Sequence, residues 1–277
     1  MGRLLLCGTP IGNLEDISMR ALRVLGEADV IACEDTRRTR KLLSHYGISA
    51  RSLTVYNEAN ERRKATELVG MMGRGKVVVL VSDAGMPGLS DPGYRLVKAA
   101  VEEGIPVEVV PGPSAVVSAL AVSGLPPGRF VFEGFLSKKP GDRRRRIEEL
   151  VAERRTIVIF ESPHRIEETL ADLATGLGDR PAVLARELTK MHEEVRRGTL
   201  SELLASVISD PPRGEIVIVV EGAIHGFAEV VEPEELARRA KELMDSGIAR
   251  SEALGRVARD LGVRKREVFD ALLEEKS

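Results

Sequence analysis

The stretch Lys76-Val-Val-Val-Leu-Val81, followed by Ser82-Asp-Ala-Gly-Met-Pro-Gly-Leu-Ser-Asp-Pro-Gly93, decides the fold. The first part is rich in β-branched residues and predicts a buried strand. The second part combines glycines and prolines, which let a backbone approach a ligand closely. These residues are also common in ordinary turns, but connections in α/β units usually have ~2 to 6 residues, and longer ones tend to be functional. We therefore expect this loop, at the end of a strand, to line a ligand site.

Strands and helices alternate on both sides of this stretch. Apolar runs predict strands at residues 4–7, 30–33, 53–56, 76–81 and 106–110, and helical spacing predicts helices at 14–26, 39–45, 61–72 and 94–103. Such alternation predicts a largely parallel sheet with helices on both faces.

A second α/β unit follows, and the chain ends in a purely helical pattern. Its predicted strands are 130–133, 156–160, 182–185 and 215–220, with helices at 113–123, 144–153, 165–175 and 200–208. The tail has predicted helices at 233–246, 251–261 and 265–275, and its last two are similar to a helix-turn-helix. We assign an N-terminal α/β domain to residues 1–111, a second α/β domain to 112–228 and a helical tail to 229–277, with 124–128 as a candidate link.

Composition limits the possible classes of protein. The 277 residues are 43% hydrophobic and 30% charged, without an apolar run near the ~20 residues that span a bilayer. The N-terminus is typical of a first strand and not of an export signal, so a cytoplasmic location is expected. Cys7 and Cys33 both fall in predicted strands and are expected to be buried free thiols. The four histidines lack zinc spacing, so no metal is expected.

Two nucleotide-binding motifs fail on spacing and order. Residues 70–77 approach a phosphate-binding loop, but Val77 replaces the required Ser or Thr and the strand comes after the loop. No Gly-x-Gly-x-x-Gly motif follows a predicted strand, so a nicotinamide-binding Rossmann unit is not supported. Val81-Ser-Asp-Ala-Gly85 is similar to the first glycine loop of Rossmann-type methyltransferases, yet Pro87 stands where a further glycine is expected.

Basic residues concentrate before and within one predicted helix. The formal net charge is −2, so any site for a polyanion must be a local patch. Four consecutive arginines point in different directions around a helix and cannot all pair with acids on one face, and a phosphate backbone would supply the missing negative charge. The alternative is a solvated surface partly paired with Asp142, Glu148 and Glu149. The predicted RNA-binding residues are Lys138, Lys139, Arg143, Arg144, Arg145 and Arg146.

Five loop motifs, taken together, resemble those of the tetrapyrrole-methylase superfamily, in its ribosomal RNA branch. They are Thr9-Pro-Ile-Gly-Asn-Leu14, Cys33-Glu-Asp-Thr-Arg37, Ser82 to Gly93, Pro111-Gly-Pro-Ser-Ala115 and Glu161-Ser-Pro-His-Arg165, and the resemblance runs from residue 3 to about 225. It implies S-adenosylmethionine as methyl donor, bound in a cleft between two α/β domains, and a homodimer. It further implies methylation of the ribose 2′-hydroxyl of a decoding-centre cytidine in 16S ribosomal RNA of the small ribosomal subunit.

The resemblance also implies which residues bind the cofactor. By their position in the matching motifs these are Pro10, Gly12, Ser82, Asp83, Ala84, Pro87, Ser114, Ala115 and Leu188. Met86 and Gly88 depart from the pattern of the family, which leaves the detailed cofactor contacts open.

A ribose hydroxyl is a poor nucleophile and benefits from a base. Among the polar residues at strand ends, we choose Lys190, Asp35 and Glu34 as catalytic candidates. A lysine acts as a base only when neutral, so a phosphate contact is the alternative for Lys190, as an ion pair with Arg37 or Arg38 is for Asp35. Two other functions stay open: a methylase of a porphyrin-like small molecule, and a non-catalytic RNA-binding assembly protein.

Overall fold

The computed structural model of the chain describes residues 2–223, 233–260 and 265–274. Within these residues, two five-stranded sheets each carry helices on both faces, and three further helices follow the second sheet. The predicted fold class, two α/β units followed by a helical region, is confirmed. In the described part of the chain, no helix is long and apolar enough to cross a membrane.

The first sheet is parallel throughout, in the order β3-β2-β4-β1-β5. Its strands are β1 (Arg3–Cys7), β2 (Val30–Cys33), β3 (Leu53–Val55), β4 (Val77–Leu80) and β5 (Val107–Val110). The helices of this unit are α1 (Met19–Glu27), α2 (Thr36–His45), α3 (Glu61–Gly73) and α4 (Tyr94–Glu102). Leu5 packs with α1 and α2 in one core cluster, whereas Leu4 packs with α3 and α4 in another. Because both faces of the sheet are covered, its central strands are apolar without alternation.

Two helices of this unit begin at capping residues that the apolar spacing did not locate. The helix predicted from residue 14 begins at Met19, because the Ser18 hydroxyl caps it by accepting a hydrogen bond from Ala21 N–H (3.1 Å). The helix predicted from residue 39 begins at Thr36, with the Asp35 carboxylate as its cap. Asp35 therefore has a structural role at the start of α2.

The second sheet is mixed, in the order β6-β7-β10-β8-β9, and β6 and β7 are its parallel pair. Its strands are β6 (Phe130–Phe135), β7 (Thr156–Glu161), β8 (Pro181–Arg186), β9 (Glu194–Thr199) and β10 (Ile216–Val220). Strand β9 was not predicted from the sequence. It lies at the edge of the sheet and contains charged residues, as edge strands often do, so it lacks an apolar pattern.

Helices cover both faces of this sheet, and the packing of one of them, α5, bears on the proposed domain boundary. Helices α6 (Pro140–Glu149), α7 (Ile166–Leu177) and α8 (Leu200–Ser209) pack in one core cluster, and α5 (Ala115–Ser123) packs in the other. Since α5 rests on strands β8, β9 and β10, we propose that the second domain begins before α5, near residue 112, and not at the Pro-rich segment 124–128.

The C-terminal helices form a small unit with its own core. They are α9 (Pro233–Asp245), α10 (Arg250–Asp260) and α11 (Lys265–Glu274). Buried residues of all three, such as Leu236, Leu254 and Val268, pack in one cluster. The turn at Gly262, on which the similarity to a helix-turn-helix depends, lies outside the described residues.

The arginines of α6 correct one prediction. Arg143 is 3% exposed and pairs with Asp172 (2.7 Å) and Glu168 (3.3 Å), both on α7. It holds two helices together and is not available to a phosphate. Arg146 pairs with Glu133 of β6 (2.8 Å) and Arg145 with Asp142 (3.1 Å). These acids lie on α7, on β6 and on α6 itself, so three of the four arginines have acidic partners although they point in different directions.

Replacement of Arg143 by Ala is expected to destabilise the protein by about 2 to 4 kcal/mol, because it leaves the carboxylate of Asp172 unpaired at a buried helix contact. Arg144→Ala, at an exposed position on the same helix, should change the free energy of unfolding by less than ~0.5 kcal/mol. Urea unfolding of both variants measures the difference. Equal stability of the two variants would contradict a structural role for Arg143.

Candidate active site

Four loops meet at one edge of the first sheet, because the carboxyl ends of its parallel strands lie side by side there. Two backbone hydrogen bonds join the loop after β1 to the loop after β4: Thr9 N–H to the Gly85 carbonyl (2.9 Å) and Gly85 N–H to the Thr9 carbonyl (3.1 Å). The loop after β5 touches the loop after β1, since a Cβ atom on Gly8 would lie 2.7 Å from the Cα atom of Gly112. Both positions therefore require glycine.

The loop after β4, residues 82–93, is the central loop of this edge. Its first residue, Ser82, is 3% exposed and donates its hydroxyl hydrogen toward the carbonyls of Ala84 (3.1 Å) and Gly85 (3.2 Å). The second, Asp83, bonds the loop after β2 in both directions. Its N–H donates to Glu34 Oε1 (3.1 Å), and its Oδ1 accepts from the N–H of Asp35 (3.1 Å). Carboxylates from two strand ends are thereby held close together.

These carboxylates differ in proton affinity. Burial raises the pKa of Asp91, at the far end of the central loop, to about 7, and the negative charges of Glu34 and Asp83 act in the same direction. Burial also raises the pKa of Glu34, against the hydrogen bond from Asp83 N–H. In contrast, hydrogen bonds from Arg37 lower the pKa of Asp35 to about 2. Asp91 is thus the better proton acceptor near neutral pH, and Asp35 is a poor one.

A narrow cavity of about 330 Å³ lies where the central loop faces the second α/β unit. Its walls are mostly apolar and include the edge-to-face rings of Phe135 and Phe160, whose centroids are 5.6 Å apart. The first turn of α5, with Ser114 and Ala115, forms another wall. The lining residues are Ile11, 84–86, 89–91, 114–116, Phe135, 160–163 and 214–217.

A wide cavity of about 660 Å³ adjoins the narrow one and shares Ile11, Ala84 and Glu215 with it. Helix α2 forms one of its walls, and the loop after β1 forms another. The lining residues are 9–12, Leu14, Leu25, 38–39, 41–42, 44–45, 81–84, Lys190 and Glu215. This cavity is the more polar in character, because its rim carries Arg38, Lys41 and Lys190.

The second unit reaches the wide cavity through the segment from Glu187 to Lys190. Glu187 and Thr189 adopt φ angles of +49° and +67°, which are strained for residues with a side chain and tend to occur at functional sites. The Thr189 hydroxyl accepts a hydrogen bond from Asn13 N–H (3.0 Å), and a Cβ atom on Gly12 would lie 2.4 Å from Lys190 Cγ. The two units therefore touch at the mouth of the wide cavity.

Lys190 is not suited to the role of a base. Its Nζ lies 2.7 Å from Glu187 Oε1 and 3.2 Å from Glu215 Oε2. Burial alone would lower the pKa of Lys190, but these two carboxylates outweigh burial and raise the pKa overall. The amine stays charged at neutral pH, so the prediction of Lys190 as a proton acceptor is replaced by that of a fixed cation.

Most of the residues predicted to bind the cofactor come together around the two cavities. Pro10, Gly12, Ser82 and Asp83 line the wide cavity, Ser114 and Ala115 line the narrow one, and Ala84 lines both. Pro87 is buried within the central loop, and Leu188 is 8% exposed, with its carbonyl against Gly12. Neither cavity is lined by the predicted RNA-binding residues of 138–146.

Asp91 and the two phenylalanines were not among the predicted site residues. Asp91 stands in the motif Ser90-Asp-Pro-Gly93, so a polar residue within a long loop after a strand was a usable signal. Phe135 and Phe160 gave no such signal, because each lies near the end of an ordinary apolar strand and only the approach of the two units brings them to the cavity.

The fold and the loops define a two-domain α/β protein with a ligand cleft at strand ends. Residues 3–204 match the family described as Tetrapyrrole (Corrin/Porphyrin) Methylases, and the chain belongs to this family. Methyltransferases of this family use S-adenosylmethionine.

Individual relatives cover most of the chain. A ribosomal RNA small subunit methyltransferase I from Thermotoga maritima is 50% identical over 80% of this chain and 99% of its own length. The protein of the same name from Mycobacterium tuberculosis (strain H37Rv) is 45% identical over 99% of this chain and 96% of its own length. A uroporphyrin-III C-methyltransferase from Thermus thermophilus, solved in complex with S-adenosylhomocysteine, has the same fold with a TM-score of 0.57 at 22% identity, over 79% of this chain and 97% of its own.

Asp91→Asn is expected to change how stability depends on pH. The folded state raises the pKa of Asp91 from 3.8 to about 7, so this group favours folding at low pH, and the benefit is lost as the pH rises through 7. From pH 4 to pH 8, the free energy of unfolding of the wild type should fall relative to that of the variant by on the order of 2 kcal/mol. A fully buried group would contribute ~1.4 kcal/mol for each pKa unit of the shift, and solvent screening of a partly exposed group reduces that total.

Urea unfolding at several pH values provides the measurement, with Asp16→Asn at an exposed position as the control for the loss of one carboxylate. Parallel pH profiles of the wild type and Asp91→Asn would show that Asp91 is not an unusual acid.

Proposed function

We propose that this protein transfers a methyl group from S-adenosylmethionine to 16S ribosomal RNA of the small ribosomal subunit, at the ribose 2′-hydroxyl of a decoding-centre cytidine. The observation that carries the proposal is the 50% identity to the Thermotoga maritima relative across 99% of that relative's length. The aligned segment of 222 residues is about as long as the two α/β units together. The catalytic function is therefore assigned to these units, and the helices α9 to α11 have an accessory role.

The narrow cavity has the properties that the methyl donor requires. Its volume falls in the usual range of small-molecule sites, ~300 to 1,000 Å³, and its apolar walls suit an adenosine. Ser114 does not cap helix α5 with its side chain, so its hydroxyl can donate or accept a hydrogen bond to a ligand, and the backbone N–H groups of the first turn can donate hydrogen bonds to it. The acids Glu34, Asp83 and Asp91 give the nearby end of the cavity a negative potential, which suits a sulfonium and an ammonium group.

The two cavities bind different substrates in this proposal, the methyl donor and the RNA. We place the adenosine in the narrow cavity and the methionine part against residues 82–84, whose Ala84 faces both cavities. The target ribose then enters through the wide cavity. The donor supplies an electrophilic methyl group, so the main tasks of the protein are to align the hydroxyl and to exclude water.

Asp91 is the proton acceptor that its raised pKa favours. It lies in the wall of the narrow cavity on the same loop as Ala84, and its pKa of about 7 matches the pH at which it must act. Asp35 holds α2 and the central loop in place, and Lys190, as a fixed cation, contacts a phosphate of the RNA near the target nucleotide.

We also propose the homodimer and the remaining basic residues as parts of this function. Strand β5 is an edge of the first sheet, and its Val109 is 50% exposed, which suits contact with a second copy. Lys138, Lys139 and Arg144 follow the end of β6 and are exposed, which is compatible with contact between RNA and the second unit.

Incubation with S-adenosylmethionine carrying a labelled methyl group should label small ribosomal subunits, and digestion of their RNA should release 2′-O-methylcytidine. Naked 16S RNA and a tetrapyrrole precursor, tested in parallel, identify the substrate. Label in the tetrapyrrole alone would indicate a small-molecule methylase, and no transfer with intact RNA binding would indicate an assembly protein. Label on a base would contradict the 2′-hydroxyl.

Ala115→Leu should weaken the binding of S-adenosylmethionine about 10- to 100-fold, because three added carbons enter a cavity of about 330 Å³ and overpacking costs ~1 to 3 kcal/mol. Val117→Leu, on the same helix but 58% exposed, is the matched control and should bind like the wild type. Isothermal titration calorimetry gives both affinities. Wild-type affinity in a folded Ala115→Leu variant would place the cofactor outside the narrow cavity.

A further inference from the structure

Among the helices of the first unit, α2 has the largest excess of positive charge. Its ten residues, Thr36-Arg-Arg-Thr-Arg-Lys-Leu-Leu-Ser-His45, include three arginines and a lysine but no Asp or Glu. Thr39 and Leu43 are buried, and a polar stripe at spacings of three and four residues faces the solvent on the other side. The stripe consists of Arg37, Arg40, Lys41, Ser44 and His45, all of them exposed.

This arrangement is unfavourable for an isolated helix. Arg37 and Lys41 are four residues apart, and like charges at that spacing repel. Opposite charges three or four residues apart, which relieve such repulsion elsewhere in this chain, as between Arg63 and Glu67, are missing from α2 itself. The negative charge must come from outside the helix.

Within the described residues, carboxylates pair with α2 only near its N-terminal end. Arg37 pairs with Asp35 (2.8 Å), and Arg38 lies 3.5 Å from Asp83. Further along the helix, Arg40 and Lys41 have no carboxylate within 4.0 Å among residues 2–223, 233–260 and 265–274. These two cations are therefore free to bind an external anion.

The position of α2 connects this charge to the site. Lys41 and His45 line the wide cavity together with Lys190 of the second unit. A polymer that places one sugar in this cavity must run its phosphates along the cavity rim. The repeated charges of such a polymer fit a row of cations on one helix face better than the charges of a compact small molecule would.

We infer that the exposed face of α2 is a docking surface for the phosphate backbone of the RNA, and that the wide cavity receives the nucleotide to be methylated. The inference rests on the proposed function and names how that substrate is held. It adds α2 to the exposed basic residues Lys138, Lys139 and Arg144 that are proposed to touch the RNA. Of the arginines in α6, Arg143, Arg145 and Arg146 pair with acids of the protein, whereas Arg40 and Lys41 on α2 have no carboxylate partner among the described residues.

The test is a double variant, Arg40→Ala with Lys41→Ala, compared with Arg62→Ala and Arg63→Ala. The control pair stands on α3, is exposed, removes the same charge and lies on the opposite face of the first sheet. Binding of 16S RNA is measured against salt concentration. The α2 variant should bind roughly 10- to 40-fold more weakly at ~0.1 M salt, and the slope of log K against log salt should fall by about 1.5, as two lost phosphate contacts predict. The α3 variant should behave like the wild type.

Two further measurements separate the possible failures. Binding of S-adenosylmethionine and the thermal unfolding temperature should be unchanged in both variants, and Arg40→Lys with Lys41→Arg should restore RNA binding. Equal RNA binding by the α2 and α3 variants would overturn the inference, as would a loss of cofactor binding in step with RNA. A wild type that neither binds nor methylates RNA would overturn the proposed function itself.

Discussion

The reciprocal hydrogen bonds of Asp83 are the constraint on which the site depends. The backbone N–H of Asp83 reaches Glu34, and its carboxylate receives the N–H of Asp35. Because Asp35 also caps α2, Asp83 links the central loop to the loop after β2 and to the first turn of α2. These hydrogen bonds fix the positions of the acidic residues of the site and, through α2, the positions of the basic residues on that helix. A change at Asp83 would therefore disturb both sides of the site together.

Charge is sorted by depth around the two cavities. The carboxylates of Glu34 and Asp83 lie just after β2 and β4, and Asp91 lies at the far end of the central loop. Partial burial strengthens the effect of these acids on one another. Cations such as Lys41 and Lys190 line the wide cavity, where Lys190 is paired with Glu187 and Glu215. A positively charged methyl donor and a negatively charged polymer would meet opposite potentials at the two places where each is proposed to bind. The fold itself does not select a substrate, so this sorting of charge is the feature that favours RNA.

The chain shows how a run of like charges can mislead. Arg143 to Arg146 form an uninterrupted run of four arginines, which is more conspicuous in the sequence than Arg37 to Lys41, where Thr39 separates the basic residues. In the folded protein, Arg143 pairs with acids of α7, and Arg146 pairs with Glu133 of β6 as well as with the nearby Glu149. Charge pairing between elements depends on which faces pack together, and the local pattern of a helix does not contain this information.

The sequence by itself determined the architecture, because apolar periodicity and turn residues act locally: the five strands of the first sheet, the helices that cover them and the loop of residues 82–93 follow from it. The loop motifs also indicated most residues around the cleft. Tertiary structure alone decided the rest. Strand β9 forms because an edge tolerates charge, Lys190 remains a cation because Glu187 and Glu215 converge on it, and Asp91 becomes a weak acid because folding buries it beside two other carboxylates. Each of these depends on contacts between distant parts of the chain, which no local pattern specifies.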